Sequence, residues 1–147
     1  MRILFLNHNI IGRGTWWRCF HLARGLVCLG HDVTIIDRDP TAFKRLSPTY
    51  RGQTIEGVGF DRAVLVQAGI ERADGFASVT NGDNTNIVAA QIAKYRFRVP
   101  KVLARVYDPI RAEVYREACD RRAAGVGGGA APAQPRRLDR RHRRACR

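Results

Sequence analysis

Residues 30–40 read Gly-His-Asp-Val-Thr-Ile-Ile-Asp-Arg-Asp-Pro, and this stretch contains one unit of the pattern that decides the fold. Gly30 is a typical helix stop, and Val33–Ile36 is a short β-branched apolar run that predicts a buried strand. This strand ends at Asp37. Pro40 begins the next predicted helix, because proline is tolerated in a first helical turn.

The same alternation of strand and helix continues outward in both directions. The predicted strands are Arg2–Leu6, Val33–Ile36, Thr54–Val58, Phe76–Val79 and Val102–Val106. The predicted helices are Trp16–Leu29, Pro40–Leu46, Arg62–Ala68 capped by Asp61, Thr85–Phe97 capped by Asp83 or Asn84, and a last one from Asp108-Pro109 to about Ala118. Short apolar strands joined by crossover-length connections indicate a parallel sheet covered on both faces. Right-handed crossovers then predict an α/β fold, a doubly wound parallel sheet of the Rossmann type.

The composition changes after Ala118. Residues 125–135 are mostly Gly, Ala and Pro, and residues 135–147 are rich in arginine. Such a segment cannot bury enough apolar surface to offset its ordering entropy. We therefore predict a single nucleotide-binding domain over residues 1–119 and a disordered basic tail over residues 120–147. A basic arm for RNA or anionic lipid, or a tail translated out of frame, are the alternatives for that segment.

The net charge of +13 is typical of nucleic-acid-binding proteins, but its distribution argues against that function. Residues 121–147 contain nine arginines and one aspartate, which account for +8 of the total. The basicity therefore belongs mostly to the tail and not to a surface of the domain. We expect no nucleic-acid partner.

The chain has no apolar run of about 18 residues and no signal-peptide pattern at its start, so we expect a cytoplasmic protein. The four cysteines (Cys19, Cys28, Cys119 and Cys146) have neither Cys-x-x-Cys spacing nor histidines at zinc-ligand spacing. No metal site or disulfide is predicted. We interpret the cysteines as free thiols, with Cys19 and Cys28 packed on a helix.

Ligands of doubly wound sheets bind at the carboxyl ends of the strands, where the strand order reverses. The turn after the first strand contains Gly12 and Gly14, whose backbone could approach a phosphate at the start of a helix. Asp37 closes the second strand, where a carboxylate can accept ribose hydroxyls, and it follows Gly14 by 23 residues, near the usual spacing. Alternatively, the glycines only permit a turn and Asp37 pairs with Arg38.

Three further polar residues fall at the same predicted edge. Thr80 and Asn81 close the fourth strand, and Arg105 lies near the carboxyl end of the fifth, from where it could reach a phosphate. The fingerprint Gly-x-Gly-x-x-Gly would place Trp17 at its third glycine, which predicts weak dinucleotide binding.

No catalytic constellation is present. The sequence has no Gly-x-Ser-x-Gly, no Walker lysine and no histidine cluster, and His8 has no obvious acid or base partner in the sequence. The pattern therefore favours binding over chemistry, and we predict no catalytic residue.

Several stretches in order resemble the N-terminal domain of Trk potassium-uptake regulatory proteins. They are Gly30–Pro40, Arg51-Gly52, Glu56–Asp61, Ala68–Asp74, Val79–Asn86 and Ala104–Pro109. The resemblance implies a domain that binds NAD, NADH or an adenine nucleotide and controls a membrane potassium-channel subunit, as a homo-oligomer that is cytoplasmic or peripheral to the inner membrane face. It implies that Asp37 holds the adenine ribose and that Thr80, Asn81 and Arg105 line the nucleotide. Arg38 would read a 2′-phosphate if NADP were preferred.

The first 29 residues depart from that family. Counted back from Gly30, the three loop glycines of the family fall on Gly14, Trp16 and Cys19, so only one is retained. Residues 1–29 are similar instead to the start of GT-B glycosyltransferases, which implies a truncated sugar-nucleotide transferase as the alternative function. A recombined product without function is a third possibility.

Overall fold

The computed structural model describes residues 1–8, 14–46, 48 and 50–116, with the backbone alone at residues 14–16 and 45. The strands are β1 (Arg2–Leu6), β2 (Asp32–Asp37), β3 (Gln53–Glu56), β4 (Gly75–Ser78) and β5 (Lys101–Ala104). The α-helices are α1 (Gly14–Cys28), α2 (Arg62–Gln67) and α3 (Asp83–Gln91), and a π-helical turn (Ile92–Arg96) continues α3. Two 3-10 segments (Pro40–Arg45 and Ile70–Arg72) lie between them.

The five strands form one parallel sheet in the order β3-β2-β1-β4-β5. From β1 the chain proceeds outward to β2 and β3, and then crosses back to β4 and β5 on the other side. The predicted doubly wound Rossmann-type sheet is thereby confirmed. The strand order reverses between β1 and β4, where Leu6 pairs with Ser78, so a crevice between their carboxyl ends is the expected ligand position.

Alternation along the strands builds a separate core on each face of the sheet. On one face Leu4, Leu6 and Phe76 pack with α2 and α3, and on the other Phe5 and Ile35 pack with α1. Each fully buried Leu, Ile or Phe side chain contributes roughly 1.5–3 kcal/mol relative to an exposed one. The helices therefore have to cover both faces.

Two helix boundaries confirm the local signals in the sequence. Gly30 has φ of 81°, and the N–H groups of Gly30 and His31 donate to the carbonyls of Val27 and Leu26, which closes α1 with a Schellman motif. The Asp61 carboxylate accepts from the Ala63 N–H at 2.8 Å and caps α2.

Other predicted boundaries are corrected. Neither Asp83 nor Asn84 caps α3, because Asp83 already lies in its first turn and the cap position is Gly82. The strand β3 ends at Glu56 and not at Val58 as predicted. The last bond between β3 and β2 is donated by the Gly57 N–H to the Asp37 carbonyl, and Val58 is exposed. The strands β4 and β5 each begin one residue earlier than predicted, and Arg105 lies just beyond β5.

The backbone contacts divide the chain into Met1–Val106 and Tyr107–Arg147. In the second unit residues 109–116 are helical, and the predicted cap is confirmed, because Asp108 Oδ1 accepts from the Ile110 N–H at 2.9 Å. The predicted helix end near Ala118 and the tail lie outside the described residues, so the boundary at residue 119 stays a prediction. No helix in the described part of the chain is long and apolar enough to cross a membrane.

Candidate functional site

The loops that follow β1 and β4 are joined by backbone hydrogen bonds at the point where the strand order reverses. The Val79 N–H donates to the Leu6 carbonyl at 2.9 Å, and the Asn81 N–H donates to the His8 carbonyl at 3.0 Å. The Asn7 N–H donates in turn to Ile36 in β2 at 2.9 Å. These bonds hold the three loops together at one edge.

Asp37 is the central acidic group of this edge, and only 1 % of the residue is exposed. Its Oδ2 accepts from Asn7 Nδ2 at 3.1 Å, and its Oδ1 accepts from the Asp39 N–H at 3.1 Å and lies 3.3 Å from His8 Nδ1. Arg38 is exposed and is not among the described partners of Asp37, so the alternative of an Asp37–Arg38 pair is wrong. Both carboxylate oxygens are held in a defined orientation.

Burial raises the pKa of the Asp37 carboxyl above its ordinary value, although the Asp39 N–H and His8 oppose the shift. Burial, followed by the nearby negative charge of Asp37, raises the pKa of the Cys19 thiol to about 12. Cys19 therefore lies beside Asp37 as an inert buried thiol. Cys28 is exposed, so the prediction that both cysteines pack was right only for Cys19.

Asn86 organises the loop after β4. This residue is fully buried, and its Oδ1 accepts from the Ser78 hydroxyl at 2.9 Å and the Thr80 N–H at 2.7 Å. Its Nδ2 donates to the carbonyls of Thr80 at 3.0 Å and Arg105 at 2.8 Å. One amide thus connects the ends of β4 and β5 with α3.

Thr80 and Asn81, which follow β4, differ in the exposure of their side chains. The Thr80 hydroxyl is buried and lies 3.3 Å from both the N and the O of Gly82, so it shapes the turn. Asn81 is exposed, with its side chain available to a ligand.

Two arginines belong to the chain segments at this edge, Arg105 just after β5 and Arg18 in α1. Burial first, and then the charge of Arg18 in α1, lower the pKa of Arg105, while Asp83 opposes the shift. Arg105 is half-buried and Arg18 is exposed. Positive charge at this edge is compatible with an anionic ligand.

Of the loop that carries Gly12 and Gly14, the structure describes only the last part, from Gly14 onward. Gly12 lies outside the described residues, and Gly14 begins α1, where helix N–H groups could meet a phosphate. Trp17 is 41 % exposed and stacks on His21 with ring centroids 6.0 Å apart, so its side chain lies outward on the helix. Cys19, at the position of the third family glycine, is packed in the core.

The structure brings Asp37 and Thr80 to one edge with the chain segments that carry Gly14, Asn81 and Arg105. Sequence reasoning assigned no role to Asn7, Arg18 or Asn86, and it considered His8 without finding its partner. The expectation that His8 lacks an acid partner was wrong, because Asp37 lies 29 residues away in sequence but on the neighbouring strand. A polar run directly after a buried strand was the available signal. No three His, Cys, Asp or Glu side chains among the described residues are grouped as metal ligands.

Comparisons of this sequence with known proteins all indicate the same family. The model of the TrkA-N domain matches residues 14–123. The Trk system potassium uptake protein TrkA of Streptomyces coelicolor is 53% identical over 94 residues, which are 64% of this chain and 42% of that protein. The TrkA homolog of Pyrococcus abyssi is 35% identical over 96 residues, 65% of this chain and 42% of that protein. The chain thus spans well under half the length of these relatives.

Solved structures share the fold. The C-terminal domain of Kef from Shewanella denitrificans, in an AMP-bound form, has a TM-score of 0.61 at 18% identity and covers 80% of this chain and 67% of that one. The NAD(P)-binding domain of an exopolyphosphatase-related protein from Archaeoglobus fulgidus has a TM-score of 0.61 at 16% identity. The match covers 85% of this chain and 92% of that one.

The similarity of residues 1–29 to glycosyltransferases is not favoured as a guide to function, because the family match begins at residue 14 and so includes α1. The strand order, the polar edge and the match over three quarters of the sequence agree with one another. The chain belongs to the TrkA-N domain family.

Proposed function

We propose that this chain is the regulatory nucleotide-binding module of a potassium uptake system, which binds NAD, NADH or an adenine nucleotide and controls a membrane potassium-channel subunit. The observation that carries the proposal is the buried, preoriented Asp37 carboxylate at the end of β2, one strand away from the reversal of strand order. The names of the relatives as potassium uptake proteins support the physiological setting. In this proposal the module binds and does not catalyse.

The ribose would be held by Asp37. Asn7 and the Asp39 N–H already fix the carboxylate, so little further ordering is needed when a ribose hydroxyl donates to it. A hydrogen bond to a charged group contributes roughly 1.5–3 kcal/mol. His8 lies beside the same oxygen and would flank the ribose. Arg38, exposed after β2, would meet a 2′-phosphate of NADP.

The phosphates would lie between the start of α1 and Arg105. Gly12 and Gly14 would allow close backbone approach, and Arg105 with Arg18 would supply positive charge. Thr80 and Asn81 would form the wall opposite Asp37. Because the glycine pattern is incomplete, we expect high-micromolar affinity, about −4 to −5.5 kcal/mol of binding free energy.

The partners follow from the family and not from contacts within the chain. We propose a homo-oligomer on the cytoplasmic side of the membrane, bound to the channel subunit. The basic tail is not required for nucleotide binding, and no nucleic acid takes part.

Calorimetric titration of the full chain with NADH and with AMP tests the nucleotide site. Asp37→Ala should weaken the preferred nucleotide at least tenfold, since it removes the charged acceptor. Glu56→Ala is the matched control, because Glu56 is an exposed carboxylate paired in register with Asp37 at the same edge. That control should stay within about twofold of the original affinity, on the order of 0.4 kcal/mol. Equal affinities for the Asp37→Ala variant and the original chain would overturn the assignment.

A further inference from the structure

A cavity of about 350 Å³ opens at the edge of the sheet opposite Asp37, where the strands begin. Its walls are the starts of β1 and β2, the segment before β3 and the C-terminal end of α2. Arg2 and Asp32 pair in register at this edge, and Asp37 ends the same strand five residues later. At a rise of about 3.3 Å per residue the two edges lie roughly 16 Å apart, so this cavity is separate from the nucleotide site.

The lining is polar and carries more positive than negative groups. Arg2, Arg51 and His31 line the cavity, with Asp32 as the one carboxylate in its wall. Asp74 accepts from the backbone N–H of Arg2 at 2.7 Å, so that contact does not involve the guanidinium. In the described portion of the chain, neither the Arg2 nor the Arg51 guanidinium has a carboxylate within salt-bridge distance.

The other walls leave room for these side chains. Gly69 has φ of 78°, and the Arg2 guanidinium lies beside it, 3.8 Å from where a Cβ would stand. Gln53 and Gln67 line the same space and add amide donors. Two guanidinium groups and two amides therefore surround one cavity, which is the donor set that proteins use for phosphate oxygens.

We propose that this cavity binds a small molecule carrying a phosphate group, independently of the nucleotide site. Arg2 and Arg51 would each donate to phosphate oxygens, and Gln53 and Gln67 would complete the donor set. The volume is several times the ~30 Å³ of one water and at the lower end of small-molecule sites, so the ligand is larger than bare phosphate. Asp32 would accept from a hydroxyl group on that molecule.

An NMR titration of the full chain with inorganic pyrophosphate, at ionic strength matched by NaCl, tests the proposal. Gly52 and Gly69 line the cavity and report through their amides, whereas Gly82 reports on the nucleotide edge. We expect saturable shifts at Gly52 and Gly69 that Arg51→Gln weakens at least fivefold. Arg2→Gln is the second variant from the other wall, with the same expected effect.

Two controls separate this site from general charge and from the nucleotide site. Arg24→Gln makes the same charge change at an exposed position of α1 and should leave the affinity within twofold. Asp37→Ala should leave the Gly52 and Gly69 isotherms unchanged. Saturable shifts confined to Gly82, shifts that NaCl reproduces, or equal effects of the Arg51→Gln and Arg24→Gln variants would each overturn the proposal.

Discussion

At the scale of single residues, Asp37 illustrates a conflict between binding and stability. Its carboxylate is almost fully buried, and burial raises its pKa, so the ionised form costs folding free energy. The same ionised form is the acceptor that a ribose needs. The Asp39 N–H and His8 favour the ionised form and oppose part of that cost, and the proposed ribose-binding role would explain why a carboxylate is retained at this buried position.

The pH dependence of stability should report this conflict. Because the folded pKa of Asp37 is raised, its contribution to stability is fully present below the unfolded pKa and is lost as pH rises through the folded value. We expect the unfolding free energy of the original chain, minus that of Asp37→Asn, to fall as the pH rises above about 4, the ordinary range of an aspartate carboxyl. Urea denaturation at a series of pH values measures this difference, with Glu56→Gln as the control. A difference that rises with pH would contradict the burial argument.

Asn86 is the residue with the largest expected structural effect. Asn86→Ala removes all four side-chain hydrogen bonds and leaves the Thr80 N–H and the Arg105 carbonyl without that partner. We expect the unfolding free energy to drop by about 2–4 kcal/mol, because each unsatisfied buried group costs roughly 1–3 kcal/mol.

Asn81→Ala is the matched control for Asn86→Ala. Asn81 bonds to His8 through its backbone N–H, which the substitution keeps, so this variant should change stability by less than about 0.5 kcal/mol. Comparable losses in both variants, measured by chemical denaturation, would argue against the role of Asn86 as the organiser of the loop.

At the scale of elements, the two ends of α1 and α2 show how local signals set boundaries. Gly30 and Gly69 both adopt left-handed backbone, with φ of 81° and 78°, directly after the helices. Glycine is favoured in this region because other residues bring Cβ close to the carbonyl oxygen. The helix α3, in contrast, has no side-chain cap, and it passes into a π-helical turn at Ile92–Arg96 before β5.

Two glycine substitutions, one inside α1 and one just after it, should have opposite effects. Gly30→Ala has open space around the new Cβ, so its cost is backbone strain alone, about 1–2 kcal/mol of destabilisation. Gly25 lies inside α1, and a Cβ added there also meets open space. Gly25→Ala should therefore raise the free energy of unfolding by about 0.5–1 kcal/mol. Thermal or urea unfolding distinguishes them. The same sign for both variants would contradict the assigned helix end.

At the scale of the whole molecule, the sheet carries two edges with different chemistry. The carboxyl edge holds Asp37 and the loops that Asn86 and the backbone bonds connect, whereas the amino edge holds the cavity between Arg2 and Arg51. Both cores lie between these edges, one on each face of the sheet. Variants at one edge should therefore leave binding at the other unchanged.

Removal of the tail tests the predicted domain boundary. Deleting residues 125–147 should leave the melting midpoint within a few degrees, because a segment of this composition cannot build a core. Differential scanning calorimetry of both forms measures the shift. A decrease of more than about 10 °C would mean that the tail packs, since about 1 kcal/mol moves a domain of this size by a few degrees.

The sequence by itself determined the fold class and most element positions, because these depend on local signals. The period of the apolar residues indicates strands and helices, Gly30 ends α1, and Asp61 caps α2. It also identified Asp37 as the acidic group at a strand end. Only the tertiary structure decided which groups surround that carboxylate. Asn7 and His8 meet Asp37 across neighbouring strands, and Asn86 connects two strand ends through one amide. These contacts depend on strand order and register, which are set when distant segments pair and which no local pattern encodes.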